Sequence, residues 1–171
     1  MLFVVLYAGK MNAQQEWYSY KTAEIKVEFP GKPKVKTETN NTAELGKIRS
    51  SEVYYESKLE TDSTVLFRFL SVSFYNLIHS DSTAMLPTFF KSAINRAASE
   101  LNGKVVSQKE VSFKGFPGRE VVITAEDGFA AVHMRMYFIR NTVFTIQTVS
   151  QTDLAHNQAA IHFLDSFALL E

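Results

Sequence analysis

The chain has 171 residues, 46% of them hydrophobic and 21% charged, which is enough for one domain with a sizeable core and too little for two ordinary ones. Eighteen basic residues balance eighteen acidic ones, so no net field would hold a phosphate backbone, and nucleic acid is disfavoured as a partner. The absence of cysteine removes disulfide frameworks, thiolate zinc sites, iron–sulfur clusters and thiol nucleophiles together.

The first fifteen residues, MLFVVLYAGKMNAQQ, open on an apolar run that is too short to span a bilayer as a helix and lacks the periodicity of a core element. It reads as the hydrophobic part of a signal peptide over residues 1–15, with cleavage in the small and polar stretch behind it. No positive residue precedes the run, and Lys10 follows it, both departures from the usual signal pattern. The rival reading is an N-terminal strand. Residues 16–171 then form one domain, expected in the periplasm or outside the cell, with no stable membrane insertion once the signal is removed.

From Trp17 onward the pattern is mostly period two. EIKVEF at 24–29 sets Ile25, Val27 and Phe29 against Glu24, Lys26 and Glu28, as a half-buried strand does. Pro30, Gly31 and Pro33 end it. TETNNTA at 37–43 is polar, and Asn40-Asn41 predicts a hairpin corner there. Strands follow at about 45–57 and 64–75. The second is apolar on both sides, Val65, Phe67 and Phe69 against Leu66, Leu70, Val72 and Phe74, so it is expected at the centre of a sheet covered on both faces.

HSDSTAMLPTFFKSAINRAASELNG at 79–103 predicts a helix with Ser82 or Thr83 as N-cap, Pro87 near the first turn and Gly103 past the end. Leu86, Phe90, Ala93, Ile94, Ala97 and Leu101 make its apolar stripe. Further strands are expected at 104–113, 119–124 and 129–140, then in VFTIQTVS after a short linker at Asn141-Thr142. DLAHNQAAIHFLDSFALL closes the chain as a second helix with an extended tail. Two helices against about six to seven strands in hairpin order give an α+β domain, an antiparallel sheet sandwiched by helices as α/β/α.

KGFPGRE at 114–120 raises the question of a phosphate loop. Such a loop opens a helix, whose free N–H groups and dipole favour an anion. Here EVVITAE follows with strand period, so the glycines and Pro117 are expected to build a hairpin corner.

Several stretches together resemble one family. They are W-Y with I-x-V-x-F-P (Trp17, Tyr18, Ile25, Val27, Phe29, Pro30), N-G-x-V from Asn102, G-F-P-G-R-E from Gly115, R-M-Y-F-I-R-N-T-V-F-T-I from Arg135 and F-L-D-S-F-A-L from Phe163. The order is similar to that of the PsbP-like and Mog-like α/β/α sandwiches, over about 17–169. The resemblance implies that fold and a largely non-enzymatic family, which includes extrinsic photosystem proteins, Ran-binding proteins and exported bacterial proteins of unknown role. The motifs are packing and turn residues, so no binding residue is carried over.

The histidines are His79, His133, His156 and His162. The last two are six apart, which at about 100° per residue turns them to different sides of a helix and away from the one-face metal pair. His133 shares a strand face with Arg135 and Tyr137, opposite Val132, Met134, Met136 and Phe138, and is expected to be partly exposed. If nothing covers that face, His133, Arg135 and Tyr137 line a shallow binding surface. No G-x-S-x-G is present, and Asp81, Glu126, Asp127 and Asp165 are scattered carboxylates.

The expectation is therefore an exported, non-enzymatic binding or accessory module without a cofactor, its protein partner or small ligand unidentified. A periplasmic carrier of a small apolar ligand, lined by Phe67, Phe69, Phe89 and Phe90, is the alternative. A hydrolase assembled from scattered groups stands behind both.

Overall fold

The computed structural model describes residues 16–42, 46–57, 64–75, 79–125 and 127–170. The expected signal segment, 1–15, lies outside them. The described chain opens with a hairpin, β1 (Tyr18–Lys21) and β2 (Ile25–Phe29), and continues through β3 (Lys34–Thr42), β4 (Gly46–Glu56) and β5 (Thr64–Phe74). Helix α1 (His79–Glu100) leads to β6 (Lys104–Phe113), β7 (Phe116–Thr124), β8 (Ala130–Ile139) and β9 (Thr142–Gln151). A 3-10 turn (Thr152–Leu154), helix α2 (Gln158–Asp165) and the short β10 (Ala168–Leu169) close it.

Two antiparallel sheets result, one of seven strands in the order β3-β4-β5-β9-β8-β7-β6 and one of three in the order β1-β2-β10. Each run of consecutive strands is a meander, and the last strand of one pairs with the last strand of the other, β5 with β9. That puts the doubly apolar β5 inside the sheet, as expected. Its Phe67 and Phe69 join Val53, Tyr137, Phe144 and Ile146 in one core, while Phe74 and the partly buried Val72 join Met134, Met136 and Val143 in another on the opposite face.

The first core is closed by α2 and the small sheet, through Phe163, Leu164 and Phe167 with Ile25, Val27 and Phe29. The second is closed by α1, through Leu86, Phe90 and Ile94 of its predicted stripe, with Ala93 and Ala97 partly buried beside them. Burying each of those three large side chains stabilises the domain by roughly 1.5–3 kcal/mol before chain entropy is subtracted. The α+β expectation holds. The helix sandwich holds only in part, because one cover is as much sheet as helix: EIKVEF does not extend the main sheet but pairs with β1 and β10 above it.

Other details depart from the sequence reading. TETNNT belongs to β3, whose pairing with β4 runs on through Asn41↔Lys47. An exposed edge strand tolerates polar residues that a core strand would not. Helix α1 starts at His79, so Pro87 lies inside it. Leu101 falls beyond its end, 36% exposed, and the positive φ of 46° that terminates the helix belongs to Asn102. The N–H of Gly103 donates to Ala98 O and that of Asn102 to Ser99 O, closing the end as a Schellman pair.

KGFPGRE is a hairpin corner, as expected, but a tighter one. Phe113 pairs with Phe116, leaving Lys114 (φ 48°) and Gly115 (φ 84°) as the two turn residues. Pro117 and Gly118 already belong to β7. Gly118 is required by crowding, because a Cβ there would lie 2.4 Å from Met136 O and 2.5 Å from the Tyr137 ring. Asp127 and Gly128 turn the next hairpin, and Arg140 (φ 55°) with Asn141 the last.

Candidate functional site

The alternation along β8 is as read: His133, Arg135 and Tyr137 share a face. That face is covered. His133 is 0% exposed and Tyr137 6%, so the row is no open surface, and the partly exposed histidine is corrected to a fully buried one. The physical reason is the tertiary layer above: the loop before α2 closes over His133, while Tyr137 packs beneath Phe113 and stacks on Phe167 at 6.0 Å.

Around Arg135 the fold assembles a charged cluster. Glu120 on β7 is its register partner, and Arg135 donates from Nε to Glu120 Oε2 at 2.8 Å and from Nη1 to Asp165 Oδ1 of α2 at 2.5 Å. His133 Nε2 lies 3.0 Å from Glu120 Oε1, and the exposed Lys109 of β6 reaches the same oxygen at 3.1 Å. The other ring nitrogen of His133, Nδ1, lies 3.3 Å from Ala155 O. Both the ionised carboxylate and the Ala155 carbonyl only accept; we place a single ring proton on Nε2, at the shorter, charge-assisted contact, which leaves Nδ1 facing Ala155 O without a donor. The ring of His156 stands edge-on to that of His133, with centroids 4.6 Å apart.

Burial pushes the Glu120 carboxyl up, but donors from His133, Lys109 and Arg135 outweigh it and hold the group at about 2. Burial likewise pushes His133 below the usual imidazole value, against the pull of the Glu120 carboxylate. Burial raises the Tyr137 phenol. A stably ionised carboxylate beneath three donors is a clamp, and it ties β6, β7 and β8 to α2 and the turn before it. Glu120 and Lys109 were not singled out from the sequence, and Asp165 stood only among scattered carboxylates; the register that sets Glu120 opposite Arg135 exposes the site. Among the described residues no group of three or more His, Cys, Asp or Glu stands ready to hold a metal.

His162 is placed elsewhere, 2.9 Å from Glu28 Oε2 and tilted against Trp17 at 4.1 Å; His156 lies in the turn before α2, against His133, so the two have different partners although they do not share the expected helix. Phe67 and Phe69 lie in one core and Phe89 and Phe90 in or against the other, so these four cannot line one cavity. That corrects the expected carrier lining: residues on opposite faces of a sheet face opposite layers.

Open grooves flank both covers. Helix α1 packs toward the β6–β7 side of its face, and beyond its Ala93–Ala97 flank a groove of about 750 Å³ runs over Leu70, Val72, Met134 and Met136. Glu52 and Arg68 stand on its rim, Oε1 to Nε 2.6 Å, although that N–H does not point at the oxygen. On the opposite face, a groove of about 560 Å³ lies under the β1–β2 corner. No helix among the described residues is long and apolar enough to cross a membrane.

No family model and no curated protein matches the chain. Among solved structures, a protein of unknown function from Pseudomonas aeruginosa is similar over 85% of this chain and 90% of its own, at 11% identity and a TM-score of 0.36. The PsbP protein of the cyanobacterium Synechocystis is similar over 78% of this chain and 92% of its own, at 9% identity and a TM-score of 0.42.

Proposed function

We propose that this chain is an exported, non-catalytic binding or accessory module that receives its partner in the groove beside α1. The observation that carries the reading is the groove itself, whose floor sets Leu70, Val72, Met134 and Met136 beside Thr145 and Gln147, under a charged rim. Such a combination suits a ligand that buries one side and leaves the other wet. The non-catalytic part is supported by the commitment of Glu120, His133, Arg135 and Asp165 to one another and to holding α2 in place. The export part rests on the apolar run at the head of the sequence. The same floor favours, as a second reading, a carrier of a small apolar ligand.

Native and denaturing mass spectrometry of the protein from its own source tests all of this. Loss of the first thirteen or fourteen residues supports export, and a chain keeping Met1 refutes it. A mass retained natively by the wild type and lost from Ala97→Phe, which fills the groove, supports binding there. Equal retention by both proteins, or none by either, counts against it.

A further inference from the structure

The groove under the β1–β2 corner has a floor of a different kind. On β3, β4 and β5 the face that carries Val53, Phe67 and Phe69 beneath the small sheet turns polar where that cover ends. Thr37, Ser51 and Ser71 are successive register partners across three strands, and the next row runs Arg49, Ser73 and Thr142. The corner at Thr22, Ala23 and Glu24 overhangs these rows, making a groove out of what would otherwise be a flat sheet face.

Hydroxyls on a solvated sheet face need no ligand. The charges are what that plain reading leaves over. Arg49 lines the groove and has no ion-pair or hydrogen-bond partner among the described residues, while Lys47, two residues before it on the same strand face, lies over the Tyr75 ring at its mouth. A second groove continues from the first through Ala23, Glu24, Asn141, Thr142 and Phe144, and it is lined by Arg140, likewise without an ion-pair partner among the described residues. Glu24 is the one carboxylate among the residues lining either groove. Arginines without an ion-pair partner among the described residues, beside a bank of hydroxyl donors, form a complement for a small oxyanion. Guanidinium takes an oxyanion through two parallel N–H donors, the hydroxyls of Ser51 and Ser71 rotate to serve its remaining oxygens, and Ser73 Oγ and Thr142 Oγ1, 2.9 Å apart, share one hydrogen bond and keep one proton to donate.

We propose that this groove binds a small molecule bearing a carboxylate or phosphate, with Arg49 as its charge partner and Ser51, Ser71 and Ser73 as hydroxyl donors. The site lies on the opposite sheet face from the groove beside α1, and it stands or falls independently of the function proposed above. The test is amide chemical-shift mapping on the full chain, in low salt, with inorganic phosphate, glucuronate and neutral glucose as separate probes. Saturable shifts at Arg49, Ser51, Ser71 and Ser73 with phosphate or glucuronate, weakened tenfold or more in Arg49→Gln and absent with glucose, are expected. The arm that saturates at the lower concentration identifies which oxyanion fits. No saturable shift with either anion overturns the proposal, as do shifts unchanged in Arg49→Gln or reproduced by glucose. The variant's own amide spectrum, matching the wild type outside the groove, shows that it is folded.

Discussion

Glu120 and Arg135 face each other across β7 and β8 as direct register partners, and their side chains meet at 2.8 Å with only 11% and 18% of their surfaces exposed. Breaking such a pair from one side leaves an uncompensated charge in a poorly solvated place. Glu120→Ala leaves Arg135 with Asp165 as its one carboxylate partner and removes the acceptor of His133, so chemical denaturation should show a loss of about 3 kcal/mol. The exposed pair Arg96–Glu100 on α1 is the control: Glu100→Ala should cost well under about 1 kcal/mol. Equal losses for the two would refute the idea that Glu120 is the keystone of the clamp.

Acid should act on the same clamp in two stages. The unfolded chain takes up a proton at its histidines near 6.5, whereas folded His133 is held lower by burial, so stability present above that value declines as pH falls below it. The Glu120 carboxyl is held at about 2 in the folded protein against an ordinary value of 4.5. Its contribution is complete above 4.5 and disappears as pH falls toward 2. Urea midpoints measured from pH 8 to 3 should therefore fall in both windows. His133→Gln should flatten the upper one and Glu120→Gln the lower. The groups facing His133 are Glu120, Arg135 and His156, with Lys109 beyond Glu120, and a wild-type midpoint constant between pH 7.5 and 5.5 would contradict this account.

Much of the framework was legible because it rests on local pattern. Period two in EIKVEF, the two apolar faces of β5, and the stripe Leu86, Phe90 and Ile94 each emerge where expected. What could not be read is what depends on register and layer. TETNNT looks like a turn until β4 is seen running beside it, and His133 looks half exposed until the loop before α2 is placed over it. Glu120 reads as the tail of a turn motif. It becomes a buried clamp only because the tight Lys114-Gly115 corner fixes which residues of β7 face inward, and one residue of slip would turn them all outward.

The two glycines of that hairpin make separable predictions. At Gly118 a new Cβ meets the Met136 carbonyl, which cannot retreat without opening the β7–β8 ladder, and the Tyr137 ring, which is held by Phe113 and Phe167. Gly118→Ala should cost about 1–3 kcal/mol through overpacking. At Gly115 nothing lies within 4 Å, and only the φ of 84° is unfavourable. Gly115→Ala should cost about 1 kcal/mol, the strain of a left-handed residue. Thermal unfolding of the pair settles it, and a more damaging change at Gly115 would show that the turn, not the close approach, governs this hairpin.

Phe163 joins every layer on its side of the molecule. It is wholly buried in α2, with its ring 5.0 Å from Phe29 of the small sheet and 5.4 Å from Phe67 of the large one. Among the described residues the two sheets share no strand pairing, so the small sheet is held down by such packing, helped by Glu28 N–H donating to Ser166 Oγ. Phe163→Ala should cost about 3–5 kcal/mol by cavity formation, and the loss should be uneven. Amide exchange should quicken first in Ile25–Phe29 and α2, while β7 and β8, packed on their other face against Leu86, Phe90 and Ile94 of α1, keep most of their protection. Uniform loss of protection across both sheets would mean that the small sheet and α2 do not open as a unit of their own.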